Sequence, residues 1–193
     1  PMKAAKAAHE AIWDRRHGIQ ERAAQQEIVS HIHAPGFFPT PPALVRVMLE
    51  LAEIEHGMEC LEPSAGKGDL AVAMREAGGK VFCIECVLPL TEILTRKGFD
   101  VFWGDFLKRE PFLRYDRVLM NPPFEQGADR QHIQHAYKFL RPCGRLVAIC
   151  SARPFFRQFK ADKEFQAWLA NVGATTHDNP PDAFKCSERP TGV

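Results

Sequence analysis

No apolar run in the sequence reaches the roughly 20 residues that a bilayer-spanning helix needs. The first 30 residues also lack the charged-then-apolar layout of a secretory signal. No membrane association is therefore expected. An excess of one charge is missing too: 25 Lys and Arg stand against 24 Asp and Glu, a formal net charge of +1. That balance permits a nucleic-acid partner without arguing for one. Cysteine is sparse, at positions 60, 83, 86, 143, 150 and 186. Cys83 and Cys86 have CxxC spacing, but no second Cys or His pair follows at zinc-ribbon distance, so no metal site is expected. Most of the cysteines sit in apolar, β-branched runs and read as reduced, buried thiols of a cytoplasmic protein. Internal repeats and low-complexity stretches are absent as well.

The 193 residues are 45% apolar, enough for one domain with a substantial core. Pro1 ahead of Met2 reads as a remnant of tag cleavage and is left out of the fold. Residues 2–30 are rich in Ala, Glu, Gln and Arg and broken only by Gly18, a helical composition. We expect an N-terminal helical extension over 2–34, packed on the domain or on a partner. A nucleic-acid arm carrying Arg15, Arg16, His17 and Arg22 is the other reading.

From residue 35 to 193 the pattern changes. PGFFPTPP is a stiff extended entry, because each residue before a proline is pushed away from helix. Helices are expected over Pro42–Glu53, Asp69–Ala77, Pro89–Lys97, Ala128–Leu140 and Lys163–Asn171. Strands are expected over Met58–Ser64, Lys80–Cys86, Asp100–Asp105, Arg117–Asn121 and Arg145–Cys150, with another starting at Ala174–His177. This alternation predicts an α/β fold with a doubly wound, mostly parallel sheet covered on both faces.

In such sheets ligands bind beyond the carboxyl ends of the strands. LEPSAGKGDLA stands at the first strand-to-helix turn, where Gly66 and Gly68 let the backbone bend and approach a ligand. The second strand ends in Cys83-Ile84-Glu85, and a carboxylate there can accept from both hydroxyls of a ribose. Together these residues indicate an adenosine-type cofactor, without choosing between a nicotinamide dinucleotide and S-adenosylmethionine.

YDRVLMNPPF narrows the choice. A buried strand ends in Asn121-Pro122-Pro123-Phe124, and the prolines lock the backbone just past its tip. The Asn121 amide and the Pro122 carbonyl become fixed acceptors beside an aromatic ring. Methyl transfer to a planar amine needs this arrangement. Two acceptors pulling on the N–H groups encourage pyramidalisation and align the lone pair with the methyl. Phe124 could stack on a flat substrate flipped out of a duplex. No nucleophile is required.

PGFFPTP, LEPSAGKGDL, CIEC, GDF and NPPF, in this order, resemble the amino-group DNA methyltransferases, and more narrowly the small phage- and prophage-borne N6-adenine enzymes. The likeness spans residues 35 to 190. It implies the Rossmann-like class I fold, S-adenosyl-L-methionine as cofactor, and transfer to the N6 amine of adenine in DNA; with no recognisable target-recognition region, low sequence specificity is expected. Phe38, Thr40 and Pro41 would line the methionine end of the cofactor. Glu62, Ser64, Gly66 and Gly68 would form its binding turn, and Glu85 would hold the ribose. Asp105 would accept from the adenine amino group, with Phe106 beside that ring. Asn121, Pro122, Pro123 and Phe124 would hold the target amine next to the cofactor. Such folds usually end in a seventh, antiparallel strand, and FKCSERPTGV resembles the loop leading into it. The natural protein is therefore expected to continue past Val193, or another element to fill that place.

Arg141, Arg145, Arg153, Arg157, Lys160 and Lys163 surround and follow the fifth strand, with Pro154, Phe155, Phe156 and Phe159 among them. Arg153, Phe155, Phe156, Arg157 and Lys160 are the candidate nucleic-acid contacts. Other readings stay open. An RNA base could be the substrate, through guanine N2 or adenine N6. A protein glutamine is disfavoured by Phe124, where such enzymes carry Tyr. A non-catalytic binding subunit is opposed by the intact motifs, and an oxidoreductase would leave NPPF unexplained.

Overall fold

Pro41 and Pro42 decide where the first helix begins. Pro41 is extended, at φ −59° and ψ 142°, and Pro42 takes the first helical position, where its missing N–H would have had no partner. The computed structural model describes residues 38–179 and 183–184, which lie in the second of two units into which the chain divides, Pro35–Val193. The expected extension over 2–34 falls outside the described residues, as does all of FKCSERPTGV except Phe184.

Helix α1 runs over Pro42–Ala52. Strand β1 (Glu59–Glu62), helix α2 (Asp69–Glu76), β2 (Lys80–Glu85), α3 (Leu88–Arg96) and β3 (Asp100–Trp103) follow. A 3-10 turn at Phe106–Lys108 leads to β4 (Tyr115–Met120). A second at Glu125–Gly127 opens α4 (Ala128–Tyr137), which precedes β5 (Leu140–Ala148), the short α5 (Arg153–Phe156) and α6 (Lys160–Asn171). Among the described residues the sheet has five strands in the order β3-β2-β1-β4-β5, and every pairing is parallel. The order reverses between β1 and β4, which opens a crevice at their carboxyl ends.

Alternation along each strand sends side chains to two cores. Cys60 and Leu119 pack under α1 and α2, with Leu44, Met48, Leu70 and Met74. Leu61, Ile84, Val118 and Met120 pack on the opposite face, with Ile133 and Ala136 of α4 and Phe165 of α6. Each such aliphatic chain contributes about 1.5–3 kcal/mol on leaving water.

Three expectations are corrected. The helix from Ala128 stops at Tyr137 rather than Leu140, and β5 starts at Leu140 rather than Arg145. Pairing shifts from Tyr115 with Leu140 to Arg117 with Arg145, a bulge in which Cys143 takes φ 64°. A β-carbon at Gly144 would lie 2.9 Å from the Arg141 oxygen and 3.0 Å from that of Tyr115, so the bulge needs glycine there. Residues 174–177 form no strand: they follow α6 without ladder partners among the described residues. Finally, Arg141 and Arg145 do not belong to the basic group after β5. Arg141 donates to the Arg114 carbonyl and pairs with Asp116 at 3.1 Å, near the start of β4. Arg145 donates to the Leu51 carbonyl and pairs with Glu53 at 2.9 Å, capping the last turn of α1. The Arg145 hydrogen bond and charge hold the Glu53 carboxyl below its ordinary value.

Candidate functional site

The crevice begins at the turn between β1 and α2. Gly68 has φ 89°, and a β-carbon there would come within 2.8 Å of Leu94 Cδ2. Only glycine allows α2 to start this close to α3. The Gly66 N–H donates to Glu85 Oε2 at 2.7 Å, and the Val87 N–H donates to Glu85 Oε1 at 2.8 Å. Glu85, buried at the end of β2, thus ties the glycine turn to the start of α3. Each of its oxygens has a second lone pair for a further donor. Ser64 is half-buried in the same turn.

Glu62 lies beneath that turn, 3% exposed. Its Oε2 is buried without a hydrogen-bond partner. Burial pushes this carboxyl well above its ordinary 4.5, and the nearby Asp69 charge adds to the effect. A buried acid with an unpartnered oxygen is costly unless a donor completes it, so this turn fits a ligand that brings hydrogen-bond donors.

Beyond β3, Asp105 is exposed and caps the 3-10 turn, its Oδ1 accepting from the Leu107 N–H at 3.0 Å and its Oδ2 facing Lys108 at 3.5 Å. The ring of Phe106 is buried, packed tilted on Phe139 at 5.3 Å and edge-on to His135 at 4.8 Å. One residue absent from the sequence expectations stands here. Trp103 is 59% exposed, pairs in register with Glu85, and donates its indole N–H to the Cys86 carbonyl at 3.1 Å. An aromatic at the last position of a strand, just before GDF, was the signal that could have found it.

Across the switch point, the tip of β4 meets the entry segment of the chain. Asn121 Nδ2 donates to the Phe38 carbonyl at 2.8 Å and to Thr40 Oγ1 at 3.1 Å. Both amide protons are thereby used, and Asn121 Oδ1 is left buried without a partner. Thr40 and Pro41 are buried beside it. Pro122 is buried and Pro123 half-buried. Phe124 is 7% exposed, its ring stacked on Phe38 at 6.0 Å with the planes 29° apart, and edge-on to Phe184 at 6.2 Å. A flat substrate stacking on Phe124 would have to displace one of these two rings.

Past β5, residues 155–160 are all exposed. Arg153, Phe155, Phe156, Arg157 and Lys160 therefore share one surface segment. The Ile149 N–H donates to the Met120 carbonyl at 3.0 Å, which sets the exit of β5 beside Asn121.

Three of the described cysteines are poor nucleophiles. Burial raises Cys60 to about 11 and pushes Cys83 and Cys150 higher still, the latter two also facing carboxylates. No group of His, Cys, Asp and Glu able to hold a metal occurs among the described residues. No described helix is long and apolar enough to cross a membrane.

No family model matches the chain. It is 40% identical over 89 residues to a protein-L-isoaspartate O-methyltransferase of Thermococcus sibiricus, spanning 41% of this chain and 40% of that one. It is 37% identical over 90 residues to a type II methyltransferase of Thermus thermophilus, spanning 46% of this chain and 21% of that one. The chain thus covers less than half the length of these curated relatives. A structure from Pyrococcus horikoshii, described as a candidate RNA methyltransferase, superposes with a TM-score of 0.58 at 25% identity, covering 74% of this chain and 72% of the other. The parallel five-stranded sheet with helices on both faces is the Rossmann-like fold of class I methyltransferases.

Proposed function

We propose that the protein transfers a methyl group from S-adenosyl-L-methionine to the N6 amine of adenine in DNA by direct in-line attack. The observation that carries this reading is the Asn121 amide, with both protons spent on the entry segment and its oxygen buried and unpartnered. A carbonyl oxygen held this way is an acceptor waiting for a donor, and an exocyclic NH₂ is such a donor.

The glycine turn, Glu62 and Glu85 are where the cofactor would be held. Gly68 keeps the backbone open, Glu85 offers its remaining lone pairs to the ribose, and Glu62 faces the turn with an unsatisfied oxygen. Phe38, Thr40 and Pro41 would border the methionine end, and Asp105 and Phe106 the adenine end. When bound, the cofactor supplies an electrophilic methyl on a sulfonium. Asn121 Oδ1 and the Pro122 carbonyl accept from the two N–H groups of the target amine and turn its lone pair toward that methyl. They also stabilise the positive charge that develops on nitrogen as the methyl–sulfur bond breaks, and the surplus proton of the methylated amine is then released to water. Pro123 stiffens the corner, and Phe124 supports it from beneath. The likeness to methyltransferases over 41% and 46% of the chain supports the reaction class.

Methylation of an RNA base is the second reading, favoured by the 25% identity and TM-score of 0.58 to the Pyrococcus protein. Isotope-labelled methyl transfer to adenine-containing DNA and to ribosomal RNA, side by side, separates the two. Transfer to neither, with the cofactor bound, would refute both.

A further inference from the structure

Three phenylalanines stand in water on a segment whose backbone is firmly held. Phe155, Phe156 and Phe159 are 41%, 80% and 67% exposed. Rings exposed because a loop is loose would need no explanation, but this loop is fastened at several points. The Ser151 N–H and Oγ donate to Asp129 Oδ2 at 2.9 and 2.7 Å, and Asp129 is fully buried in α4. Gln166 of α6 donates to the Pro154 carbonyl at 2.5 Å. Arg130 of α4 pairs with the buried Asp162 of α6, closing the frame beneath. The Asp162 and Lys163 N–H groups both donate to the Phe159 carbonyl. The frame fixes the backbone and leaves the rings outside, so hydration of their apolar surface is a standing cost that a partner would relieve.

The chemistry between the rings says which partner. Arg153, Arg157 and Lys160 alternate with them, and the Arg157 guanidinium lies 5.9 Å from the centre of the Phe159 ring. Asp162 is already spent on Arg130, and Glu164 meets Lys160 only through an exposed pair at 3.8 Å, which offsets little. Cations interleaved with open aromatic faces suit a polyanion that carries flat bases. The position agrees, because β5 runs parallel to β4 with Ala148 opposite Met120, and the segment leaves the sheet beside Asn121.

We infer that Arg153–Lys160 seats a single DNA strand, with Phe156 and Phe159 stacking on bases next to the target nucleotide and Arg153, Arg157 and Lys160 against its phosphates. The choice of DNA rests on the methyl-transfer reading of the Asn121 corner; the surface itself does not.

The test uses the full chain and a fluorescein-labelled single-stranded oligodeoxynucleotide of about 12 nucleotides with a central adenine, read by anisotropy over a series of salt concentrations. The double variant Phe156→Ala/Phe159→Ala should bind roughly a hundredfold more weakly, about tenfold per ring, with an unchanged salt slope. The triple variant Arg153→Ala/Arg157→Ala/Lys160→Ala should lower the slope of log affinity against log salt by about 2, near 0.7 per lost contact. All these side chains are exposed, so melting temperatures should match the wild type, and calorimetry should give an unchanged affinity for S-adenosylmethionine. Wild-type affinity in the double phenylalanine variant would overturn the inference. So would failure of the wild-type chain to bind the oligonucleotide, or clearly tighter binding of the RNA of the same sequence. Ring-dependent oligonucleotide binding by a chain with no affinity for S-adenosylmethionine would uphold this surface while refuting the methyl-transfer reading.

Discussion

The Asn121 side-chain nitrogen donates to the Phe38 carbonyl at 2.8 Å, and this bond fixes which end of the amide is left over. With Thr40 Oγ1 taking the second proton, a flip of the amide would set its oxygen against the Phe38 carbonyl, which cannot donate. The residue preceding the paired prolines is therefore an oriented acceptor, held by a segment 83 residues away in sequence. Asn121→Ala should cut turnover by about 10²–10³, the usual cost of one preorganised hydrogen-bonding group. Affinity for S-adenosylmethionine should persist. Steady-state rates and calorimetry on the same preparation check both halves, and wild-type turnover in the variant would remove Asn121 from the reaction.

Glu85 ties the glycine turn to the start of α3 through both of its oxygens. Loss of its carboxylate leaves the buried Gly66 N–H without its acceptor, at about 1–3 kcal/mol, and the part-buried Val87 N–H as well. Glu85→Ala should therefore melt several degrees lower, roughly 2–4 °C per kcal/mol. It should also bind S-adenosylmethionine at least about tenfold more weakly, as expected for lost hydrogen bonds to a charged group. Unchanged cofactor affinity would count against the ribose role.

The buried Glu62 carboxyl gives stability a particular pH dependence. Burial first, and the Asp69 charge second, raise it well above 4.5 in the folded chain. Below pH 4.5 both folded and unfolded chains hold the proton. Above it the unfolded chain releases the proton while the folded chain keeps it, so this group's contribution to stability falls as pH rises toward the raised folded value. Glu62→Gln does not titrate. The melting temperature of Glu62→Gln minus that of wild type, both without cofactor, should become steadily more positive from pH 4.5 upward and then level off. A difference that does not change with pH would show that Glu62 ionises as it would in water.

Trp103 offers an optical test of where the cofactor sits. Its indole is anchored to the Cys86 carbonyl, largely exposed, and next to Glu85 across the β2–β3 ladder. S-Adenosylmethionine bound against Glu85 should change tryptophan emission, and Trp103→Phe should abolish most of that change. Trp168, half-buried and stacked on Phe165 in α6, should contribute little. With Trp13, the third tryptophan, also replaced by Phe, a full signal in Trp103→Phe would place the adenosine elsewhere.

Much of the strand–helix order was legible because each element carries its own period and its own punctuation. The glycine turn, Glu85 and the Asn-Pro-Pro corner meet at the switch point because strand tips in a parallel sheet converge there, whatever the sequence between them. The failures have a common cause: a pattern states what a residue is, not what its neighbours leave open to it. Arg141 and Arg145 looked like members of one basic group with Arg153, yet the bulge at Cys143 and Gly144 sets both near the start of the strands, where carbonyls of α1 and β4 claim them. Phe124 and Phe106 also pack on rings distant in sequence, contacts that the motifs around them do not carry. Residues 174–177 carry a strand-like composition but have no ladder partner among the described residues, and composition alone does not hold a strand.

The central claim is that the oriented Asn121 oxygen receives an exocyclic amine of DNA adenine. It is tested most directly by incubating the protein with isotope-labelled S-adenosylmethionine and adenine-containing DNA, then digesting the product to nucleosides for mass spectrometry. The expected result is label in N6-methyldeoxyadenosine with the wild-type chain and almost none with Asn121→Ala. Label on a carbon or ring nitrogen, on RNA alone, or on no nucleoside while the cofactor is demonstrably bound would contradict it.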